Sequence, residues 1–238
     1  MGIKESETSN NNCSHKPIVP PDKPHSLTIL AEPTSDCNLA CAYCYKGNKS
    51  HKIMSHLTLE NMLKKIILYN EQHNLSSSFV WHGGEPTMVG QNFFKKVFDY
   101  IDSLNCKHSI SHAIQTNGTL LNDPLLDILA EHKVSIGVSL DGIAEYHDRI
   151  RPFKKGTPTH HKILEGLQKA KDKNIDIGIL MSITNDNIAY ITEMFEFCRK
   201  NRFTFGINPI TADLHSPHSE PLPGFVLFLS RRLCEDRN

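Results

Sequence analysis

The sequence predicts an α/β protein whose core is a partial (β/α)6 barrel of the TIM type. Strand-like and helix-like segments alternate six times from Leu27 onward with short connections, which is typical of a parallel sheet with right-handed crossovers. The clearest strand, 134–140 (VSIGVSL), alternates bulky residues with Ser and Gly, so one face packs on outer helices and the other lines the lumen. Eight units close such a barrel, and six units therefore predict an open one.

The elements follow in order along the chain. Thr58 is the expected N-cap of the first helix, and Asp123-Pro124 opens the third, with proline at a tolerated early position. The predicted strands cover 27–31, 79–81, 110–115, 134–140, 175–181 and 203–208, and the predicted helices lie near 58–67, 94–104, 123–130, 160–173, 187–200 and 222–235. Residues 1–25, polar and proline-rich, are expected to form a flexible leader, and residues 26–238 one core domain.

Composition excludes several classes of partner. Lysine plus arginine and aspartate plus glutamate both number 26, so the formal charge is zero and there is no basic excess for nucleic acid. No apolar run reaches membrane-spanning length, and the N-terminus lacks the apolar segment of a signal peptide. Seven cysteines, three of them clustered, fit a metal loop in a reducing compartment better than a disulfide framework. We therefore expect a cytoplasmic protein without nucleic-acid or membrane partners.

The cluster of cysteines is the strongest chemical signal in the chain. Cys37, Cys41 and Cys44 have the spacing C-x3-C-x2-C and follow the first strand. Three thiolates on one loop can hold three irons of a cubane cluster and leave the fourth iron open to a substrate, whereas electron-transfer ferredoxins use four cysteines. The alternative is a structural zinc site, in which His51 or His56 supplies the fourth ligand.

Three further polar motifs also follow strands, at the end where barrels of this type place their active sites. They are residues 81–86 (WHGGEP), 115–118 (QTNG) and 139–142 (SLDG). The Gly-Gly pair would let a ligand approach the backbone, and Glu85 suits an ammonium group. Arg151 suits a carboxylate, so the rim predicts a site for an amino-acid-bearing ligand. His147 and Asp148 either take part in catalysis or make loop hydrogen bonds.

These motifs together resemble those of radical S-adenosylmethionine (SAM) enzymes. The C-x3-C-x2-C loop is similar to the family's cluster motif, and residues 83–86 (GGEP) to its methionine-binding motif. Residues 79–88 (FVWHGGEPTM), 115–121 (QTNGTLL) and 136–151 (IGVSLDGIAEYHDRIR) resemble the branch that modifies peptides and proteins. That branch includes anaerobic sulfatase-maturating enzymes and SPASM-type maturases of ribosomal peptides. The resemblance covers residues 27–210.

The resemblance implies a [4Fe-4S] cluster and SAM as cofactors. Cys37, Cys41 and Cys44 would ligate the cluster, and SAM would chelate the fourth iron. Gly84 and Glu85 would bind the ammonium group of SAM. Ser139 and Arg151 would bind the carboxylate or ribose of SAM, and Tyr43 and Ile210 would lie near its adenine. Gly83 is also implied in SAM binding. Asn117 either binds the cofactor or makes the turn. The catalytic residues are unknown, because the resemblance places a candidate acid or base in a C-terminal domain that this chain is expected to lack.

The implied activity is reductive cleavage of SAM to a 5′-deoxyadenosyl radical that modifies a peptide or protein side chain. Formylglycine formation in a sulfatase and crosslinking of a ribosomal peptide are both open, with a flavodoxin- or ferredoxin-like external electron donor. Members of this branch continue into a cysteine-rich C-terminal domain with auxiliary clusters, which a chain ending at Asn238 is expected to lack. The alternative function is a truncated or non-catalytic iron–sulfur and SAM-binding barrel that acts with a partner.

Overall fold

A computed structural model describes residues 26–46, 51–184 and 187–210. The predicted leader and the predicted helix at 222–235 lie outside these residues. One sheet of six parallel strands, paired in sequence order, forms the centre of the described chain. Its strands are β1 (Ser26–Thr34), β2 (Ser76–Gly83), β3 (Ile110–Thr116), β4 (Ser135–Ser139), β5 (Ile177–Ile183) and β6 (Thr204–Pro209). This order confirms the predicted α/β fold with six parallel strands.

Helices connect the strands on the convex side of the sheet. They are α1 (His56–His73), α2 (Gln91–Ser103), α3 (Asp123–Glu131), α4 (Ala144–Ile150), α5 (His160–Asp172) and α6 (Ile191–Lys200), with short 3₁₀ turns at Pro86–Val89 and Ile188–Tyr190. The predicted N-cap of α1 is wrong, because Ser55 caps the helix and accepts a hydrogen bond from the backbone N–H of Thr58. Helix α4 was not predicted from the sequence, since its seven residues show too little apolar periodicity.

The alternation predicted for β4 is observed. Ile136 and Val138 are buried in the core, whereas Ser135, Gly137 and Ser139 are half-buried on the concave face. On β2 the same alternation buries Phe79 and Trp81, which stack on each other, and Trp81 packs edge-on against Phe94 of α2. The core therefore lies between sheet and helices, and the concave face is left to smaller side chains.

Parallel pairing brings all six carboxyl strand ends to one edge of the sheet. Thr34 at the end of β1 is paired with Gly83 at the end of β2. The cysteine loop leaves the sheet at this point, directly beside residues 83–86. Among the described residues, none of the helices combines the length and apolar character needed to cross a membrane.

Candidate active site

An open cavity of about 890 Å³, including solvent at its mouth, lies at the carboxyl edge of the sheet. Every residue predicted to hold the cluster or SAM lines it: Cys37, Cys41, Tyr43, Cys44, Gly83, Gly84, Glu85, Asn117, Ser139, Arg151 and Ile210. The sequence-based roles of these residues remain predictions, but the fold brings all of them into one cavity.

The loop that carries the three cysteines, residues 37–44, is held by backbone hydrogen bonds to the segment after α4. Ala40 and Ala42 donate to the carbonyls of Pro152 and Ile150, each at 2.9 Å. The cysteines differ in exposure: Cys37 is 7 % exposed, Cys41 is half-buried and Cys44 is exposed. Three thiols that share one cavity, with no fourth cysteine among its described lining residues, fit a cluster with an open iron.

The Gly-Gly pair has a different structural reason from the predicted one. A Cβ on Gly84 would lie 2.0 Å from the carbonyl oxygen of Asp36. Glycine at this position therefore lets the backbone of the cysteine loop approach closely, in addition to any approach of a ligand. The backbone N–H of Gly84 donates to Thr34 at 3.0 Å, and that of Glu85 donates to Asp36 at 2.7 Å. The GGEP segment therefore fastens the start of the cysteine loop to the end of β2.

The carboxylate of Glu85 is 1 % exposed and is bound by protein donors. Its Oε1 accepts from the backbone N–H and hydroxyl of Thr87 and from the hydroxyl of Thr116, at 3.0, 2.6 and 2.6 Å. Its Oε2 accepts from the backbone N–H of Asn117 at 2.6 Å. Burial raises the pKa of Glu85, and these hydrogen bonds oppose the rise. In this structure Glu85 joins the ends of β2 and β3, which adds an anchoring role to the predicted contact with SAM.

Tyr43 of the cysteine loop forms a hydrogen-bonded group with the buried side chains of Asp141 and Arg151. The hydroxyl of Tyr43 donates to Asp141 Oδ2 at 2.6 Å and accepts from Arg151 Nη1. Burial raises the pKa of Tyr43 above its usual value, so the phenol keeps the proton that it donates. Arg151 Nε is buried, with no partner among the described residues. An anionic ligand group in the cavity could satisfy this donor.

Ser139 is oriented by its neighbour on β3. Gln115 Nε2 donates to the hydroxyl of Ser139 at 3.0 Å. The Gln115 side chain crosses Gly137, where a Cβ would lie 2.2 Å from Gln115 Oε1. The small residue in β4 thus leaves room for the side chain that positions Ser139.

His147 and Asp148 make structural hydrogen bonds. His147 is buried, and its Nδ1 accepts from the backbone N–H of Asp141 at 3.1 Å. Asp148 Oδ1 accepts from the backbone N–H groups of Thr159 and His160 at 2.7 and 2.8 Å. These contacts agree with the interpretation that His147 and Asp148 make loop hydrogen bonds.

The two histidines considered as zinc ligands have other partners. His51 Nδ1 lies 2.5 Å from Asp36 Oδ2, and His56 Nε2 lies 3.0 Å from Lys96 Nζ. Across the described residues, no three His, Cys, Asp or Glu side chains are arranged around a single-ion position. Neither histidine is among the described residues that line the cavity with the three cysteines.

Some residues of the cavity were not identified from the sequence. Ser182 and Asn208 line it from β5 and β6. Both residues lie near the carboxyl ends of strands. The cysteine loop and the three polar motifs were located in the sequence by that position, and the same criterion would have found Ser182 and Asn208. Asp36 and Lys154, which form an ion pair at 3.0 Å beside the cysteine loop, gave no comparable sequence signal.

Comparison with known proteins agrees with this geometry. The model of the radical SAM superfamily matches residues 31–198. The chain therefore belongs to the radical SAM superfamily. It is 33% identical over 189 residues to an uncharacterised protein of Methanocaldococcus jannaschii, covering 79% of this chain and 63% of that protein.

Relatives with assigned activities are anaerobic sulfatase-maturating enzymes, which confirms the predicted resemblance. The cysteine-type enzyme of Clostridium perfringens is 31% identical, covering 75% of this chain and 50% of the enzyme. The serine-type enzyme of Bacteroides thetaiotaomicron is 32% identical, covering 73% of this chain and 44% of the enzyme. The chain spans about half the length of the curated relatives it matches.

Solved structures show the same fold. The structure named native anSMEcpe with bound AdoMet and Cp18Cys peptide superposes with a TM-score of 0.79 at 27% identity, covering 88% of this chain and 59% of that one. Streptococcus suis SuiB bound to S-adenosylmethionine gives a TM-score of 0.63 at 17% identity, over 90% of this chain and 48% of that one. The SuiB match supports the fold alone.

Proposed function

We propose that this chain is a radical SAM enzyme that reductively cleaves SAM at a [4Fe-4S] cluster and modifies a side chain of a peptide or protein. The observation that carries the proposal is that the cysteine loop and the motifs at the ends of β2, β3 and β4 line a single cavity. Relatives named as sulfatase-maturating enzymes, and a similar structure with AdoMet and a peptide in its name, support the substrate class.

In this proposal Cys37, Cys41 and Cys44 hold three irons of the cluster through their thiolates. When bound, the cluster and SAM supply a one-electron cleavage whose 5′-deoxyadenosyl product removes a hydrogen atom from an unactivated carbon. The protein supplies binding and orientation. The backbone hydrogen bonds from Ala40 and Ala42 hold the loop that carries the cysteines.

The polar groups of the rim bind SAM in this proposal. Gly84 and Glu85 take the ammonium group, with Gly83 beside them. Ser139 and the buried guanidinium of Arg151 take the carboxylate or ribose, and an anionic contact is supported by Arg151 Nε, which has no partner within the part of the chain that the structure describes. Tyr43 and Ile210 lie on the adenine side, and Asn117 completes the lining.

The proposed partners are a peptide or protein substrate and a flavodoxin- or ferredoxin-like electron donor. Formylglycine formation on a sulfatase Cys or Ser and crosslinking of a ribosomal peptide are the two candidate reactions. The proposed compartment is a reducing one such as the cytoplasm, because seven cysteines with three of them clustered fit a metal loop better than a disulfide framework. We propose no nucleic-acid or membrane partner.

Release of 5′-deoxyadenosine tests the proposal. The chain is reconstituted anaerobically with iron and sulfide, given SAM and a strong reductant, and analysed by mass spectrometry. We expect product from the parent and from Cys106→Ala, whose cysteine lies outside the cavity, and none from Cys41→Ala. A parent chain that carries its cluster but releases no product would instead support the non-catalytic barrel that acts with a partner.

Addition of sulfatase-derived peptides tests the substrate class. Peptides of identical sequence with Cys, Ser or Ala at the modified position would be incubated with the reconstituted chain. A mass loss that reports formylglycine on the Cys or Ser peptide, absent from the Ala peptide, is the expected result. SAM cleavage without change in any of these peptides would exclude them as substrates.

A further inference from the structure

The side chain of Asn117 faces the cysteine loop. Its Nδ2 donates to Asn38 Oδ1 at 2.8 Å and lies 3.9 Å from Cys37 Sγ, within hydrogen-bonding range for sulfur. An amide nitrogen carries two hydrogens, so one Asn117 side chain can make both contacts. Both donors of the amide are therefore directed at the loop that carries the proposed cluster ligands.

The orientation of this amide is fixed from its other end. Asn117 Oδ1 accepts from the backbone N–H and hydroxyl of Thr119, at 3.0 and 2.7 Å. The Asn117 backbone N–H is held by Glu85 at 2.6 Å, and the Asn117 side chain is buried. A flipped amide would place its NH2 against donors of Thr119, so the network itself assigns Nδ2 to the side of Cys37.

Cys37 Sγ receives a second N–H donor, the backbone amide of Leu39 at 3.4 Å. Two N–H donors aimed at one buried sulfur form an environment suited to a thiolate. Hydrogen bonds to cluster sulfurs stabilise negative charge. The reduced cluster carries one more negative charge than the oxidised cluster, so such bonds raise its reduction potential.

We propose that Asn117 is a positioning residue that donates a hydrogen bond to the Cys37 thiolate and thereby raises the reduction potential of the cluster. The inference rests on the proposed function, because it takes Cys37 as a cluster ligand. In this inference Asn117 lines the cavity and also favours the transfer of an electron to the cluster. Loss of this donor makes the cluster harder to reduce.

The test is a spectroelectrochemical titration of the reconstituted protein without SAM. At the solution potential where the parent cluster is half reduced, we expect the ratio of reduced to oxidised cluster in Asn117→Ala to fall about fivefold, as for loss of one hydrogen bond of average strength. For a one-electron couple this equals a shift of about 40 mV. Thr119→Val is the matched control. It disturbs the same buried network but leaves the donor of Asn117, and its ratio should stay within about twofold of the parent.

A titration of Asn117→Ala that matches the parent, or a Thr119→Val shift as large as that of Asn117→Ala, overturns the inference. If Asn117→Ala takes up no cluster, the inference is tested instead on the parent protein, labelled with ¹⁵N on its asparagine side chains. A ¹⁵N coupling to the reduced cluster in pulsed electron paramagnetic resonance supports the bond, and its absence excludes it. A parent chain that builds no cluster would overturn the proposed function itself, a result distinct from these.

Discussion

Tyr43 and Asp141 are hydrogen-bonded at 2.6 Å although 98 residues separate them in the chain. Tyr43 lies between the second and third cysteines of the loop, and Asp141 follows β4. The other carboxylate oxygen of Asp141 accepts from the backbone N–H of Ser182 on β5 at 2.7 Å. One buried carboxylate thus joins the cysteine loop to two strands, and the position of the loop depends on the sheet.

Removal of the Tyr43 hydroxyl should destabilise the fold. In Tyr43→Phe the buried carboxylate of Asp141 loses a donor, and we expect the free energy of unfolding to fall by about 1–3 kcal/mol. Urea denaturation of the metal-free protein under reducing conditions measures this. Tyr45→Phe is the control, because Tyr45 is 83 % exposed and the same change there should cost less than about 0.5 kcal/mol. Equal losses in both variants would contradict the anchoring role of Tyr43.

Gly84→Ala should impair cluster assembly. The added Cβ cannot lie 2.0 Å from the carbonyl oxygen of Asp36, so the end of β2 and the start of the cysteine loop must separate. We expect iron content after reconstitution to fall severalfold. Gly178→Ala is a matched control, because a Cβ there meets only Thr204 Oγ1 at 3.8 Å. Parent-like iron content in Gly84→Ala would show that the loop tolerates this displacement.

Gly137→Ala should weaken SAM binding without removing the cluster. Its Cβ would displace Gln115, whose Nε2 donates to the hydroxyl of Ser139. Loss of one positioned hydrogen bond predicts an increase of about fivefold in the Kd for SAM, measured by equilibrium dialysis on the reconstituted protein. Gly178 is paired with Gly137 on the neighbouring strand, so Gly178→Ala again serves as the control. An unchanged Kd in Gly137→Ala would remove Gln115 and Ser139 from the binding site.

The buried histidine His112 should make the fold sensitive to acid. Its Nδ1 accepts from the indole N–H of Trp81 at 3.3 Å, which requires the neutral ring. Burial lowers the pKa of His112 from 6.5 to about 4. Between these values the unfolded chain binds a proton that the folded chain does not. The contribution of His112 to stability is therefore fully present above pH 6.5 and is lost as the pH falls toward 4.

Replacement of this histidine measures the effect. We expect His112→Gln to flatten the pH dependence of the unfolding free energy between pH 6.5 and 4, by up to about 1.4 kcal/mol per pH unit. His161→Gln, at an exposed position, should follow the parent curve. Urea denaturation across this pH range provides the comparison, and parallel curves for His112→Gln and the parent would contradict a neutral buried ring.

Much of the fold could be predicted because its signals are local. The alternation at 134–140 and the polar motifs at strand ends are visible in short windows of sequence, and both matched the structure. The start of α1 could not be located as well, since Ser55 and Thr58 are both good N-cap residues and only tertiary packing selects between them.

The network behind the cavity could not be predicted because its bonds join distant parts of the chain. Nothing near Glu85 in the sequence shows that four donors from Thr87, Thr116 and Asn117 meet it. The same holds for Gly84, whose nearest neighbour is a carbonyl of Asp36 on the preceding loop. Motif recognition finds such residues but does not separate ligand contact from contact with the rest of the protein.

The long-range bonds of the cysteine loop also bear on the order of events during biogenesis. Ala42 is held by Ile150, and Tyr43 is held by Arg151, 108 residues further along the chain. We therefore expect the loop to reach its final form only after four strands and α4 have assembled. In refolding with iron and sulfide present, we expect far-ultraviolet circular dichroism to recover before cluster absorbance appears. That order would show that metal insertion follows the folding of this chain and does not nucleate it, unlike in a zinc finger, whose polypeptide is unfolded until metal binds.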